Sequence, residues 1–163
     1  MKIKRLRPLS FVGVKKLHNV INDACGILKE NYNKSTAELF RKEVDLYIDL
    51  SFGKILYPMG IYVMMRYGEV VCVGAFATSP MDDCDFEIFT INTKKKYQRR
   101  GYATTMVKFL LEEIAKQKYD YYNVLLSCRH KNVKFYEKFG FEVASKNRIK
   151  CIMIKKMKYG QEI

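Results

Sequence analysis

The sequence predicts an α/β (α+β) domain, on three observations. Residues 85–118, DFEIFTINTKKKYQRRGYATTMVKFLLEEIAKQK, read as a strand, a tight basic loop and a helix. Phe86 to Thr93 has the β-branched and aromatic composition of a strand, whereas Ala103, Met106, Val107, Leu110, Leu111 and Ile114 recur at helical spacing. Upstream, Ile61 to Arg66 and Val70 to Thr78 are strand-like runs joined by Tyr67-Gly68-Glu69, a hairpin signal.

In chain order, Lys2 to Arg7 alternates charge with Ile3 and Leu6 and predicts a first strand. A helix opens at Leu9-Ser10, with Val14, Leu17, Ile21 and Leu28 on one face and Gly26 expected to weaken or bend it. A second helix is expected from Thr36 to Leu50, capped by Ser35 or Thr36, with Leu39, Phe40, Val44, Tyr47 and Ile48 inward. Ser51 to Gly60 reads as a loop and Ser79 to Cys84 as a turn into the central strand. Beyond residue 118 come a strand (Tyr122 to Ser127), a short helix, and strands at Glu142 to Ser145 and Ile149 to Met157. The order is β-α-α-β-β-β-α-β-α-β-β.

Composition limits the function classes. At 163 residues and 48% apolar, the chain is expected to fold as a single domain spanning 1–163 and not to be disordered. It has no run of eighteen apolar residues and no apolar core behind the basic start, so neither a membrane span nor a signal peptide is expected. Five cysteines without metal-type spacing and two histidines point to free thiols, no metal site and a cytoplasmic location. A formal charge of +13 implies attraction to something anionic, a phosphate-bearing small molecule or nucleic acid. The basic residues are spread along the chain, so a solvated lysine-rich surface accounts for most of them and nucleic acid is the less favoured partner.

The loop Gln98-Arg99-Arg100-Gly101-Tyr102-Ala103 stands where a helix begins. The first N–H groups of a helix lack intrahelical acceptors and the dipole there is positive, so the junction suits an anion. It lacks the Gly-Lys-Ser/Thr of a Walker loop and the three glycines of a dinucleotide fingerprint. It does fit Gln/Arg-x-x-Gly-x-Gly/Ala, and a second block, Asn132-Val-Lys-Phe-Tyr-Glu-Lys-Phe-Gly-Phe141, follows at matching distance with a Tyr-x-x-x-Gly-Phe ending. On these two motifs the second half of the chain resembles the GNAT (general-control-type) N-acetyltransferase superfamily.

The resemblance implies a single mixed, mostly antiparallel sheet of six to seven strands with helices on both faces. It also implies acetyl transfer from acetyl-CoA, as cosubstrate, directly to a primary amine of a small molecule, peptide or protein. It assigns Gln98, Arg99, Arg100, Gly101, Tyr102, Ala103 and Thr104 to the pyrophosphate. Ile91, Asn92 and Thr93, on a strand expected to bulge and splay from the next, go to pantetheine and the acetyl carbonyl, and Asn132, four residues before Tyr136 on the same helix face, is a further cofactor-binding candidate. Tyr136 is implied as the general acid for the departing thiolate, and Glu87, eleven residues before Gln98, as general base, with water the alternative. Strict alternation puts Glu87 on the face of Phe89 and Ile91, and Asp85 is a weaker candidate base.

A Cys128–His130 pair can support covalent acyl transfer in principle, but an inert buried thiol is the favoured reading. Two rival functions share the fold: a basic nucleic-acid-binding module, and a coenzyme-A-binding member without catalysis. The acceptor, and the choice between monomer and homodimer, stay open. Its expected surroundings are Gly26 to Ser35, Ser51 to Gly60 and Ala144 to Arg148, with Glu30 the single acid and Tyr32, Tyr57, Tyr62 and Tyr67 as candidate lining.

Overall fold

A computed structural model describes residues 1–5, 14–52, 59–79, 82–117 and 121–158. Its elements are β1 (Lys2–Arg5), α1 (Val14–Asn31), α2 (Lys34–Phe52), β2 (Met59–Arg66), β3 (Glu69–Ser79), β4 (Asp82–Thr93), α3 (Tyr102–Ala115), β5 (Tyr121–Arg129), α4 (Val133–Glu137), β6 (Glu142–Lys146) and β7 (Lys150–Lys158). Single 3₁₀ turns at Lys95–Tyr97 and His130–Asn132 lead towards α3 and α4.

The strands form one seven-stranded sheet in the order β1-β2-β3-β4-β5-β7-β6. Consecutive strands joined by tight turns pair antiparallel. The Tyr67-Gly68 turn between β2 and β3 has φ of 49° and 82°, the two positive values that a tight hairpin needs to follow strand twist. Only β4 and β5 run parallel among the described strands, and they are the pair joined by a helical crossover, α3. The expected mixed, mostly antiparallel architecture is the one observed.

Both faces are covered. Val20, Ile21, Ala24, Ile27 and Leu28 of α1, with Ala37, Phe40 and Val44 of α2, bury against Ile61, Val63, Val70, Val73 and Ala75. On the opposite face Tyr102, Met106, Val107, Leu110, Leu111 and Ile114 of α3 bury against Phe76, Phe86, Ile88, Val124 and Leu126. Of the stripes seen in the sequence, Ile21, Leu28, Phe40, Val44, Met106, Val107, Leu110, Leu111 and Ile114 lie on packed faces, while the side chains of Val14, Leu17, Tyr47 and Ile48 lie outside the described residues.

Several boundaries differ from expectation. The opening of the first helix and residues 6–7 of the first strand lie outside the described residues. From Val14, α1 runs unbroken through Gly26, where an added Cβ would meet nothing within 4 Å. The N-terminus of α2 is capped by Asn33, whose Oδ1 accepts the Thr36 N–H at 2.8 Å, not by Ser35 or Thr36. Leu39, expected inward, is 60% exposed. The helix continues through Phe52 and β2 starts at Met59, so the expected Ser51 to Gly60 loop is shorter at both ends. Ser79 and Asp82 to Cys84, expected as a turn, extend β3 and β4.

Candidate active site

The site is built where β4 and β5 part. Their parallel pairing joins Phe86, Glu87 and Ile88 to Val124, Leu125 and Leu126 and stops there, although β4 continues to Thr93 and β5 to Arg129. Asp85 secures the closed end, accepting the Asn123 N–H at 2.7 Å and its side-chain amide at 3.0 and 3.1 Å. With both oxygens committed to Asn123, Asp85 fastens β4 to β5.

A β-bulge sits at the parting. Ala75 pairs with Thr90 and Phe76 with Ile88, leaving Phe89 as the extra residue of β4. The bulge corrects the strict alternation expected of this strand. Phe86 and Ile88 face the α3 core and Phe89 packs on the α1/α2 core, but Ile91 returns to the α3 side. Glu87 therefore shares the face of Phe89 but not of Ile91. Half-buried, it has no hydrogen bond or ion pair among the described residues.

Beyond the bulge the strand is pinned by polar contacts. Thr90, Asn92 and Thr93 are the buried polar residues among those described, all in the last stretch of β4. The Asn92 amide donates to Thr90 Oγ1 at 2.9 Å, and Thr93 Oγ1 donates to Cys72 Sγ at 3.4 Å. Burial pushes that Cys72 thiol up to about 11. Asn31, the last residue of α1, donates to the Thr93 carbonyl at 2.9 Å and to Asn92 Oδ1 at 3.5 Å. The Gln98 side chain donates to Asn31 Oδ1 and to the Thr93 carbonyl, each at 3.1 Å. Glu30 accepts the Lys95 N–H at 2.9 Å. So Gln98 fastens the loop, and Glu30, read in the sequence as an acid near the acceptor, fastens it too. Asn31 was not legible beforehand, since its partners lie more than sixty residues away with no local pattern.

This pinning decides which backbone groups are free. Lys94 donates its N–H to Val71 of β3 at 3.0 Å, while the Thr93 carbonyl points away from β3 into the Asn31–Gln98 clamp. Alternation then turns the N–H groups of Ile91 and Thr93 toward the side that β5 has left.

The loop follows directly. Glu69 accepts from Lys94 at 2.6 Å, Lys96 at 2.9 Å and Tyr97 Oη at 2.7 Å, holding the 3₁₀ turn against the hairpin. These donors, the Lys94 bond first, hold the Glu69 carboxyl down to about 2. Arg99 and Gly101 then adopt positive φ, 61° and 83°, and α3 starts at Tyr102. Among the described residues no acceptor takes the N–H groups of Arg99 to Thr104, and the first bond into the helix is Thr105 N–H to the Gly101 carbonyl at 3.0 Å. A left-handed turn that leaves successive amides unbonded at a helix N-terminus is chemically suited to an anion. Gly101 is required for its φ, because an added Cβ would meet no atom within 4 Å. Tyr102 is buried and accepts from Arg66 at 2.7 Å, whereas the Arg99, Arg100 and Thr104 side chains are exposed.

Across the cleft, α4 is only five residues long. Its ending explains the second motif. Phe141 N–H reaches the Tyr136 carbonyl at 3.4 Å, Gly140 N–H reaches Glu137 at 3.0 Å, and Gly140 has φ of 79°. This is a Schellman stop, and its apolar contact is the Tyr136–Phe141 ring pair with centroids 6.1 Å apart. The stop holds Tyr136 against the α3-side core, edge-on to Phe135 at 4.9 Å. Phe135 and Phe139 also pack on that core. The Tyr136 hydroxyl has no hydrogen-bond partner among the described residues. Burial pushes its pKa well above the usual tyrosine value, with smaller contributions from Cys128, Tyr32 and Cys72. Asn132, one residue before α4, is exposed.

The Cys128–His130 pair does not form. Cys128 Sγ meets Met153 Sδ at 3.6 Å, and it is Cys151 that approaches His130 Nδ1, at 3.2 Å. Burial pushes the Cys128 thiol up, away from the reactive thiolate. Of the candidate tyrosines, Tyr62 is buried with its hydroxyl on Glu113, Tyr67 is 94% exposed on the hairpin, and Tyr57 lies outside the described residues. Tyr32 is exposed, with its ring centre 5.5 Å from the Arg129 guanidinium. Among the described residues no His/Cys/Asp/Glu group fit for a metal occurs, and no helix is long and apolar enough to cross a membrane.

The fold has wide parallels at low identity. GCN5 of Tetrahymena superposes with a TM-score of 0.72 at 15% identity, covering 100% of both chains. PaiA N-acetyltransferase of Thermoplasma acidophilum, solved with coenzyme A, gives 0.69 at 18% identity over 96% of this chain and 100% of that one. The ribosomal-protein-S18-alanine N-acetyltransferase of Escherichia coli gives 0.66 at 15% identity over 99% and 96%. No curated protein shows a significant sequence match. Residues 21–141 match the Acetyltransferase (GNAT) family model, and this stretch contains the cleft, the loop with its unbonded amides and the Schellman stop. The chain belongs to the GNAT acetyltransferase family.

Proposed function

We propose that the protein transfers an acetyl group from acetyl-CoA directly to a primary amine. The observation that carries this reading is the parting of β4 and β5 beyond Ile88, followed along the chain by the unbonded amides of Arg99 to Thr104, with the Tyr136 hydroxyl unpartnered among the described residues. The two-phosphate bridge of coenzyme A suits those amides, with Arg99 and Arg100 adding charge, and the exposed Asn132 offers a polar side chain just before α4. Acetyl-CoA supplies the activated thioester. The Ile91 and Thr93 N–H groups polarise its carbonyl, meeting the charge that develops on oxygen, and the cleft holds amine and thioester in one place.

Glu87 lies on the acceptor-facing side of β4 and receives the amine proton directly or through water. Tyr136 keeps its own proton far above neutral pH and stabilises the departing thiolate mainly by hydrogen bonding. The unpaired Cys128 favours direct attack over a covalent acyl-enzyme.

Two measurements test the proposal. Saturating acetyl-CoA should raise thermal stability, by about 2.7 kcal/mol at a hundredfold excess over its dissociation constant. Thiol release against a panel of amines, amino acids and peptides should reveal turnover. Absence of any stabilisation at millimolar acetyl-CoA refutes the proposal, and stabilisation without turnover on any amine identifies a coenzyme-binding protein without catalysis.

A further inference from the structure

The acceptor side of the sheet carries an unusual pair of charges. Arg129, at the end of β5, lies directly opposite Lys150, at the start of β7, in an antiparallel register. Their neighbours Cys128 and Cys151 are buried in the α3-side core, so Arg129 and Lys150 both project on the other face, where Glu87 also lies. Like charges directly opposite one another destabilise a sheet. Both are exposed, and no carboxylate among the described residues pairs with either. Arg129 has its guanidinium 5.5 Å from the ring centre of Tyr32, just past the C-terminus of α1. Along the same face the next pairs are Ser127 with Ile152 and Leu125 with Ile154, and Ile152 is 39% exposed. The result is a short, partly apolar strip that begins beside Glu87, whose register partner is Leu125, and ends at two unneutralised cations.

We infer that Arg129 and Lys150 determine acceptor specificity: the acceptor is a peptide amine with a carboxylate close behind it. This rests on the proposed acetyl transfer. Leu125 to Arg129 is four residues, about 13 Å at strand rise, so the carboxylate falls within about four residues of the reacting amine. The aliphatic strip suits an extended peptide. Single-stranded nucleic acid needs open aromatic faces for stacking; among the described residues Phe89 on this face packs into the α1/α2 core and Tyr32 already lies against Arg129.

The test uses the full chain saturated with coenzyme A and fluorescein-labelled tetrapeptides, either neutral or carrying glutamate at the second, third or fourth residue. Binding is read by anisotropy, and acetylation of the unlabelled peptides by thiol release. The acidic peptides should bind and react about tenfold better than the neutral one at low salt, with the advantage shrinking as salt rises. Arg129→Gln with Lys150→Gln should bring the acidic-to-neutral ratio close to one. Arg129→Glu with Lys150→Glu should reverse it toward a lysine-containing peptide, a response that a merely structural pair would not give. Equal binding of acidic and neutral peptides overturns the inference, as does an acidic preference that survives the double glutamine variant. So does a single-stranded RNA that binds more tightly than the acidic peptide through the same two residues. Thermal stabilisation by acetyl-CoA, with turnover on neutral amines, isolates failure of this inference from failure of the proposed acetyl transfer.

Discussion

Replacing Tyr136 with phenylalanine separates the chemistry of the candidate site from its packing. The ring's edge contacts to Phe135, at 4.9 Å, and Phe141, at 6.1 Å, survive the change. The hydroxyl has no partner among the described residues, so its removal orphans no buried donor or acceptor, and stability should move by less than about 1 kcal/mol. Acetyl-CoA binding should persist for the same reason. Turnover should fall about a hundredfold, which is about 2.7 kcal/mol of transition-state stabilisation, in kcat and kcat/KM together. The pH dependence sharpens the expectation. Burial raises the Tyr136 pKa, so the wild-type hydroxyl keeps its proton through the range where a free tyrosine, near pH 10, begins to lose it. The deficit should therefore stay constant from neutral pH to about pH 10. Thiol release at saturating acceptor, followed across that range for both proteins, is the assay. Unimpaired turnover in the variant would make Tyr136 a packing residue. A deficit that vanishes well below pH 10 would refute the argument from burial.

Three further outcomes follow from the same geometry. Gly101→Val should cost about 1–2 kcal/mol from its positive φ and abolish the acetyl-CoA thermal shift, as read by melting with and without coenzyme. Asn31→Ala removes the clamp on Thr93, Asn92 and Gln98; it should lower stability by about 1–3 kcal/mol and raise the KM for acetyl-CoA, measured by denaturant unfolding and initial rates. Glu69 has a carboxyl pKa held down to about 2 from an ordinary 4.5, so its stabilising contribution is complete above the ordinary value and is lost as pH falls through the lower one. Glu69→Gln should flatten the acid limb of the stability–pH curve in that window, and an unchanged limb would exclude the Lys94–Lys96–Tyr97 cluster as an anchor.

Local chemistry made part of the site readable. The loop before α3 announces itself because one residue type tolerates the φ that Gly101 adopts, and because the apolar period changes on either side of it. The Tyr-x-x-x-Gly-Phe block is readable for a similar reason. All the bonds of a Schellman stop lie within six residues, so the sequence itself encodes the placement of Tyr136. The face of Glu87 was legible only up to Phe89. A bulge inserts one residue without changing composition, and every side chain beyond it moves to the other face.

By itself the sequence determined the elements, their order, the turn at Gly101 and the helix stop, since each depends on dihedral preference, periodicity and contacts a few residues apart. Only the tertiary structure decided which backbone amides stay free. The Asn31–Gln98 clamp on Thr93, the Asp85 fastener on β5 and the pairing of Arg129 with Lys150 join residues far apart in the chain. Such contacts depend on strand register and on where β4 and β5 part. Those are set by how the two cores pack on either side of the sheet, and no local stretch of chain encodes them.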